Sequence, residues 1–282
     1  MTDSYSSASY SSSGTRLNFT EAGAGLPVVF LHPTPLDRDY WRPLVAELDG
    51  VRAIVPDLRG HGASELGVNL PVGGFASVPD APVLTMPQLA ADVLALLDHL
   101  QIDEAVFTGC SIGGYVLLEL WRQAPQRMRG LAFVCSKPQP DAEPGLAKRA
   151  ENIAKVRVDG VSAFLDAASH TLPGATSRKL HPAIVAEVRS RMTLTTEAVA
   201  AVQAGLATRP DSLPTVQTIN VPVLSIAGGE DGAVSPAEME AFRAAPGGCE
   251  SHVVPDAGHL AAFEQPHTVV GFLDPWLKQF RF

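Results

Sequence analysis

The chain has 282 residues, 46% of them apolar. That suits one α/β domain with an insertion, or two small domains, and excludes a disordered chain. Its formal charge of −9, without any basic run, argues against a nucleic-acid partner and against attraction to an anionic membrane.

Residues 1–14 are rich in Ser and Tyr and lack the basic and apolar regions of a signal peptide. They read as a disordered tail, with the fold starting near Thr15. Six apolar runs come next: 26–32, 51–57, 104–109, 130–135, 221–228 and 250–256. Each is nearly continuous at its centre and ends in turn residues, as expected of strands buried on both faces in a parallel sheet. Helical periodicity lies between them. After Asp37, a plausible N-cap, Trp41, Leu44, Val45 and Leu48 form one apolar stripe that ends before Gly50. Leu89, Val93, Leu96, Leu97 and Leu100 repeat the pattern, with Pro87 in the first turn. A very apolar helix follows Gly113, and a closing helix near the C-terminus must accommodate Pro275.

Alternating strands and helices predict an α/β fold with a doubly wound, mostly parallel sheet. Residues 15–136 and 216–282 make the core. Residues 137–215, helical and less regular, are expected to form a cap over the strand C-termini. The Gly- and Pro-rich loop 66–86 is long enough to have a function or to be mobile. Three cysteines, Cys110, Cys135 and Cys249, do not make a disulfide framework, and a Cys110–Cys135 bridge is not expected. No apolar stretch reaches transmembrane length. A cytoplasmic protein is the resulting expectation.

The chemistry starts at Gly109-Cys110-Ser111-Ile112-Gly113. This is G-x-S-x-G between a strand and a helix, the setting in which a sharp turn lifts a serine hydroxyl clear of the sheet. The helix N-terminus beyond it offers positive potential to a developing oxyanion. Ser111 is therefore the candidate nucleophile.

On this motif and element order, the sequence from about Thr15 to Phe282 resembles the α/β-hydrolase family, most closely its cap-bearing esterases, enol-lactonases and cofactor-free haloperoxidases. The resemblance implies an acid after the strand at 221–228, which falls on Asp231. Glu230 is an adjacent rival whose side chain is expected to point away. It also implies a base in the Gly258-His259 loop, hence His259, in the chain order Ser, Asp, His that this fold uses. His61, in a family-like turn, is expected to support the backbone.

At His32-Pro33-Thr34-Pro35 the sequence departs from the family, which usually has glycine where Pro33 stands. Neither proline has an N–H. Thr34 N–H and Ile112 N–H are then the expected oxyanion donors.

No cofactor and no metal site are implied. The expected reaction is hydrolysis of a small apolar ester or lactone through an acyl-enzyme. An apolar pocket is expected from Leu36, Trp41, Cys110, Ile112, Tyr115 and Leu260, which flank the motifs, and from Phe164 and Leu165 in the cap. Perhydrolysis or haloperoxidation, carbon–carbon bond hydrolysis, acyl transfer and non-catalytic ligand sensing are alternatives on the same residues. The aspartate-nucleophile members, haloalkane dehalogenases and epoxide hydrolases, are excluded by the serine. Oligomeric state is left open.

Overall fold

The computed structural model describes residues 5–281. Eight strands form one sheet: β1 (Ser6–Ser12), β2 (Thr15–Gly23), β3 (Leu26–Leu31), β4 (Val51–Pro56), β5 (Ala105–Cys110), β6 (Met128–Val134), β7 (Val223–Gly228) and β8 (Cys249–Val254). Their spatial order is β1-β2-β4-β3-β5-β6-β7-β8. The first two pairings, β1–β2 and β2–β4, are antiparallel, and the remaining five are parallel.

The helices are α1 (Arg42–Val45), α2 (Met86–His99), α3 (Ile112–Gln123), α4 (Glu143–Asp159), α5 (Ser162–Thr171), α6 (Ala175–Leu180), α7 (Ile184–Ser190), α8 (Thr196–Ala207), α9 (Leu213–Val216), α10 (Pro236–Met239), α11 (Ala261–Glu264) and α12 (Pro266–Leu277). Strand periodicity sorts the central residues onto two cores. Val29, Leu31 and Phe107 pack toward α2 and α3. Val28, Phe30 and Val106 pack with Leu44, Leu273 and Leu277 on the other face. Thr85 caps α2 by accepting from Gln88 N at 3.3 Å, and Asp37 accepts from Asp39 N at 3.0 Å.

The structure departs from the sequence expectations in three places. Residues 1–4 of the expected tail lie outside the described residues, but Ser6–Ser12 form an edge strand paired with Thr15–Glu21. The segment after Asp37 is not one helix: a 3-10 turn over Arg38–Trp41 precedes the short α1. The closing helix α12 runs through Pro275 without splitting.

Six helices, α4 to α9, lie between β6 and β7. The 66–86 loop is anchored to them: Phe75, Ala81 and Val83 pack with Ile153, Ala200 and Ala204. Leu84 N also donates to Ala201 O at 3.0 Å. No helix of the described residues is long and apolar enough to cross a membrane.

Candidate active site

Ser111 joins β5 to α3 with φ 52° and ψ −115°, a left-handed backbone that is strained for any residue with a side chain. Its neighbours are glycines for reasons of space. A β-carbon at Gly109 would lie 2.5 Å from the Gly113 carbonyl carbon, and one at Gly113 would lie 2.3 Å from the Leu31 carbonyl oxygen. The turn is tied down by Ser111 N donating to Val134 O at 3.1 Å and by Ser136 Oγ donating to Ser111 O at 3.0 Å.

Asp231 follows β7 and is buried. Its Oδ1 accepts from Ala233 N at 2.7 Å and Val234 N at 3.0 Å, which fixes the carboxylate. Its Oδ2 lies 2.8 Å from His259 Nδ1. Burial opposes charging of His259, but the Asp231 carboxylate outweighs it, and the imidazole pKa is raised above 6.5. His259 and Ser111 line one cavity of about 660 Å³. Among the described residues no hydrogen bond joins Ser111 Oγ to His259 Nε2; such bonds often tighten only when substrate binds.

Two buried histidines shape the segment facing Ser111. Leu58 N donates to His32 Nε2 at 2.9 Å, so Nδ1 carries the proton and donates to Pro33 O at 3.0 Å. His61 Nδ1 donates to Arg59 O at 3.0 Å, leaving Nε2 to accept from Thr34 Oγ1 at 2.9 Å. Burial, the largest influence on each, lowers their pKa values to about 4 for His32 and about 3 for His61. Both are neutral props. Thr34–Pro35 is a cis peptide. Neither Thr34 N nor Ile112 N donates to another group among the described residues. Ile112 N is an unpaired first-turn donor of α3.

A seam that the sequence did not signal joins the helical insertion to the loops around Asp231 and His259. His259 N donates to Leu172 O at 2.9 Å. Glu264 accepts from Gly258 N at 3.0 Å, Leu260 N at 3.1 Å and Gly174 N at 2.8 Å. It thus holds both neighbours of His259 and the insertion in one grip. Glu230 points away from His259 and accepts from Thr176 N at 2.8 Å and Thr176 Oγ1 at 2.6 Å. The one sequence signal for Glu264 was its place one helical turn after Leu260.

The expected substrate contacts divide. Tyr115 and Phe164 line the cavity. Leu36, Trp41, Cys110 and Leu260 do not: all are completely buried in the core on the α12 side of the sheet. Cys110 ends β5 on that face, where its thiol accepts from Tyr40 Oη at 3.2 Å. Trp41 packs against Phe30 at 5.4 Å. Ile112 also buries its side chain in the core on the α2 and α3 side, and Leu165 is buried away from the cavity. All three cysteines are free thiols. The cavity is not purely apolar either: Asp141, Arg149, Asn152 and Gln203 form part of its wall beside Val156, Phe164 and Leu206.

The profile of the α/β hydrolase fold family matches residues 27–266, most of the chain. The chain belongs to the α/β-hydrolase family. Two relatives align with this hydrolase over nearly their whole length. The 3-oxoadipate enol-lactonase 1 of Acinetobacter baylyi is 28% identical over 253 residues, 89% of this chain and 88% of its own. A putative non-heme bromoperoxidase of Mycobacterium tuberculosis is 28% identical over 267 residues, 90% of this chain and 94% of its own. Among solved structures, a thermophilic esterase from Thermogutta terrifontis, studied with malate bound, superposes with a TM-score of 0.86 and 32% identity. That match covers 99% of this hydrolase and 100% of the esterase. The enol-lactonase of Burkholderia xenovorans LB400 gives 0.81 at 27% identity over 94% and 99% of the two chains.

Proposed function

We propose that the protein hydrolyses a carboxylic ester or lactone, with Ser111 as nucleophile, His259 as general base and Asp231 as the carboxylate that orients it. The observation that carries this reading is the 2.8 Å Asp231–His259 contact on the wall of a cavity that also exposes Ser111 on its strained turn. The esterase and enol-lactonase activities named for its relatives support it.

In this mechanism Ser111 Oγ attacks the substrate carbonyl carbon while its proton passes to His259 Nε2. Asp231 keeps the other imidazole proton on Nδ1 and stabilises the imidazolium. Thr34 N–H and Ile112 N–H are the donors for the tetrahedral oxyanion, since both are free and flank the nucleophile. Collapse breaks the carbon–oxygen bond, and the leaving alkoxide takes the proton from His259. Water, deprotonated by the same imidazole, then attacks the acyl-enzyme and returns Ser111 as the alcohol. Each step is completed by groups of this chain and water. The 137–215 insertion acts as the cap of this site, because α4, α5 and α8 supply cavity wall.

The test is labelling with an organophosphonate, followed by peptide mapping. One label on Ser111, slowed strongly in His259→Ala and absent in Ser111→Ala, is expected. Label on another residue, or equal rates without His259, would remove the assignment.

A further inference from the structure

Two guanidinium groups meet one carboxylate at the end of the cavity formed by α3, α4 and α8. Arg149 Nε donates to Asp141 Oδ2 at 3.0 Å, and Arg209 Nη2 donates to Asp141 Oδ1 at 2.9 Å. The Arg209 side chain is only 3% exposed and the Asp141 side chain 10%. The cluster is therefore a largely buried set with one positive charge in excess. Buried charge of one sign is costly unless a counter-charge arrives. Arg209 is fixed behind the wall: it donates to Leu206 O at 3.2 Å and Gln139 O at 3.0 Å, its guanidinium lies 4.3 Å from the centre of the Tyr115 ring, and its Nε is buried without a partner.

The groups around this charge are set to donate. Gln203 Oε1 accepts from Arg149 Nη1 at 3.2 Å and from Asn152 Nδ2 at 3.2 Å. With its oxygen engaged, Gln203 has only its amide N–H groups to offer a ligand. Tyr115 Oη and Arg149 Nη2 have no partner among the described residues, and both side chains line the cavity. The wider wall points the same way. Lys137, Lys148, Arg149 and Lys155 outnumber Asp141 and Asp159 there, in a chain whose formal charge is −9. Lys137 is paired with Glu238, and Lys148 with Glu151. Lys155 also pairs with Glu151. Arg149 differs from these lysines in geometry: with Nε on Asp141 and Nη1 on Gln203, its planar guanidinium keeps Nη2 uncommitted in the cavity that Tyr115 also lines.

Tyr115 stands one helical turn after Ser111 on α3. Ser111, Tyr115 and Arg149 line the same cavity, so a ligand group held by Tyr115 and Arg149 is a few bonds from a carbonyl at Ser111. We propose that this cluster is an anion subsite and that the substrate is a carboxylate-bearing ester or lactone, its acid group two to four carbons from the reacting carbonyl. A planar guanidinium with one free edge suits a carboxylate, and Tyr115 Oη and Gln203 Nε2 complete its hydrogen bonding.

This rests on the hydrolytic reading above, so the test compares two esters of similar size: ethyl hydrogen glutarate and ethyl pentanoate, followed by pH-stat. The wild-type protein should prefer the acid ester in kcat/KM. That preference should fall at least tenfold in Arg149→Gln, mainly through KM, recover in part in Arg149→Lys, and fall less in Tyr115→Phe. Raising the salt concentration should erode it. Turnover of ethyl pentanoate with equal or lower turnover of the acid ester, or a preference that survives Arg149→Gln, would overturn the subsite and leave ester hydrolysis standing. If neither ester is turned over, the organophosphonate label on Ser111 decides the hydrolytic reading and calorimetry with glutarate decides the subsite. Binding weakened at least tenfold by Arg149→Gln supports it, and absence of glutarate binding to the wild-type protein overturns it.

Discussion

Replacing Glu264 by Gln tests whether His259, the proposed general base, is positioned from outside the proposed Ser-His-Asp set. The carboxylate receives three main-chain N–H groups, with Oε1 taking Gly258 and Leu260 and Oε2 taking Gly174 and sharing Gly258. An amide can keep only one of these ends as an acceptor. In the less disruptive orientation Gly174 N faces the new NH₂ group, and the contacts that remain lose their charge. Hydrogen bonds to charged groups contribute about 1.5–3 kcal/mol. With Glu264 only partly buried, the expected loss is about 2–3 kcal/mol. For a chain of this size that corresponds to a Tm lower by roughly 3–5 °C. Because His259 lies between two of the released N–H groups, its ring should lose alignment, lowering kcat on p-nitrophenyl acetate by about tenfold to a hundredfold. The Glu264 charge also helps to raise the His259 pKa, so the acidic limb should move to lower pH by charge loss alone; a positioning role is read instead from kcat on the pH plateau, which a purely structural role leaves in place while Tm falls. Stopped-flow rates from pH 5 to 9, beside scanning calorimetry, separate the two. A Glu264→Gln variant with wild-type kcat on the plateau would show that the histidine loop holds itself.

Ser111→Ala should lower esterase turnover by several orders of magnitude with an unchanged circular dichroism spectrum; retention of more than a tenth of wild-type turnover would exclude it as nucleophile. With His259 as the proposed base, activity needs its neutral form; the Asp231 carboxylate helps to raise its pKa above 6.5, so turnover should fall as the pH drops through that raised value. Asp231→Asn should shift the limb to lower pH and reduce kcat by about 10⁴-fold, and an unmoved limb would contradict the coupling. Thr34→Pro, which deletes the proposed main-chain donor, should cut kcat by about 10²–10³-fold. Thr34→Val keeps that donor but leaves His61 Nε2 unpaired, and should instead lower stability by about 1–3 kcal/mol; equal kcat for the two variants would discard this oxyanion assignment. His32 and His61 are neutral when folded, with pKa values of about 4 and about 3, and take up protons near 6.5 when unfolded. Their contribution to stability is therefore complete above about pH 6.5 and is lost as the pH falls toward those folded values. Urea titrations at pH 7.5 and 5.0 should show the drop, and a His32→Gln/His61→Gln protein with the same drop would assign it elsewhere.

The parallel strands were legible because β3, β5 and β7 are apolar on both faces, and the elbow because Gly109, Ser111 and Gly113 are close neighbours in the chain. The two amino-terminal strands were not. β2 alternates buried Leu17 and Phe19 with outward Arg16 and Asn18, and the serines of β1 leave most of that strand exposed. Adjacency also misled the reading of substrate contacts. Cys110 neighbours Ser111, but strand geometry sends its side chain to the far core. The charged end of the cavity had no local signature at all: Arg149 and Gln203 are 54 residues apart and meet only when α4 packs on α8.

The amino-terminal strand changes how the protein can be cut and fused. Composition places a natural trimming point near residue 15, yet Tyr10 packs on Phe19, with ring centres 5.9 Å apart, and is almost fully buried. Ser12 Oγ donates to Asp92 at 2.6 Å, and Ser12 O receives Arg59 Nη2 at 3.2 Å. Trimming at that point would leave the buried Arg59–Asp92 pair short of two contacts. It would also bare the outer hydrogen-bonding row of β2, a template on which a second molecule can add its own strand. The serines of β1 thus serve as a solvated hem along the sheet, and expression tags belong ahead of Tyr5, with the strand itself left whole.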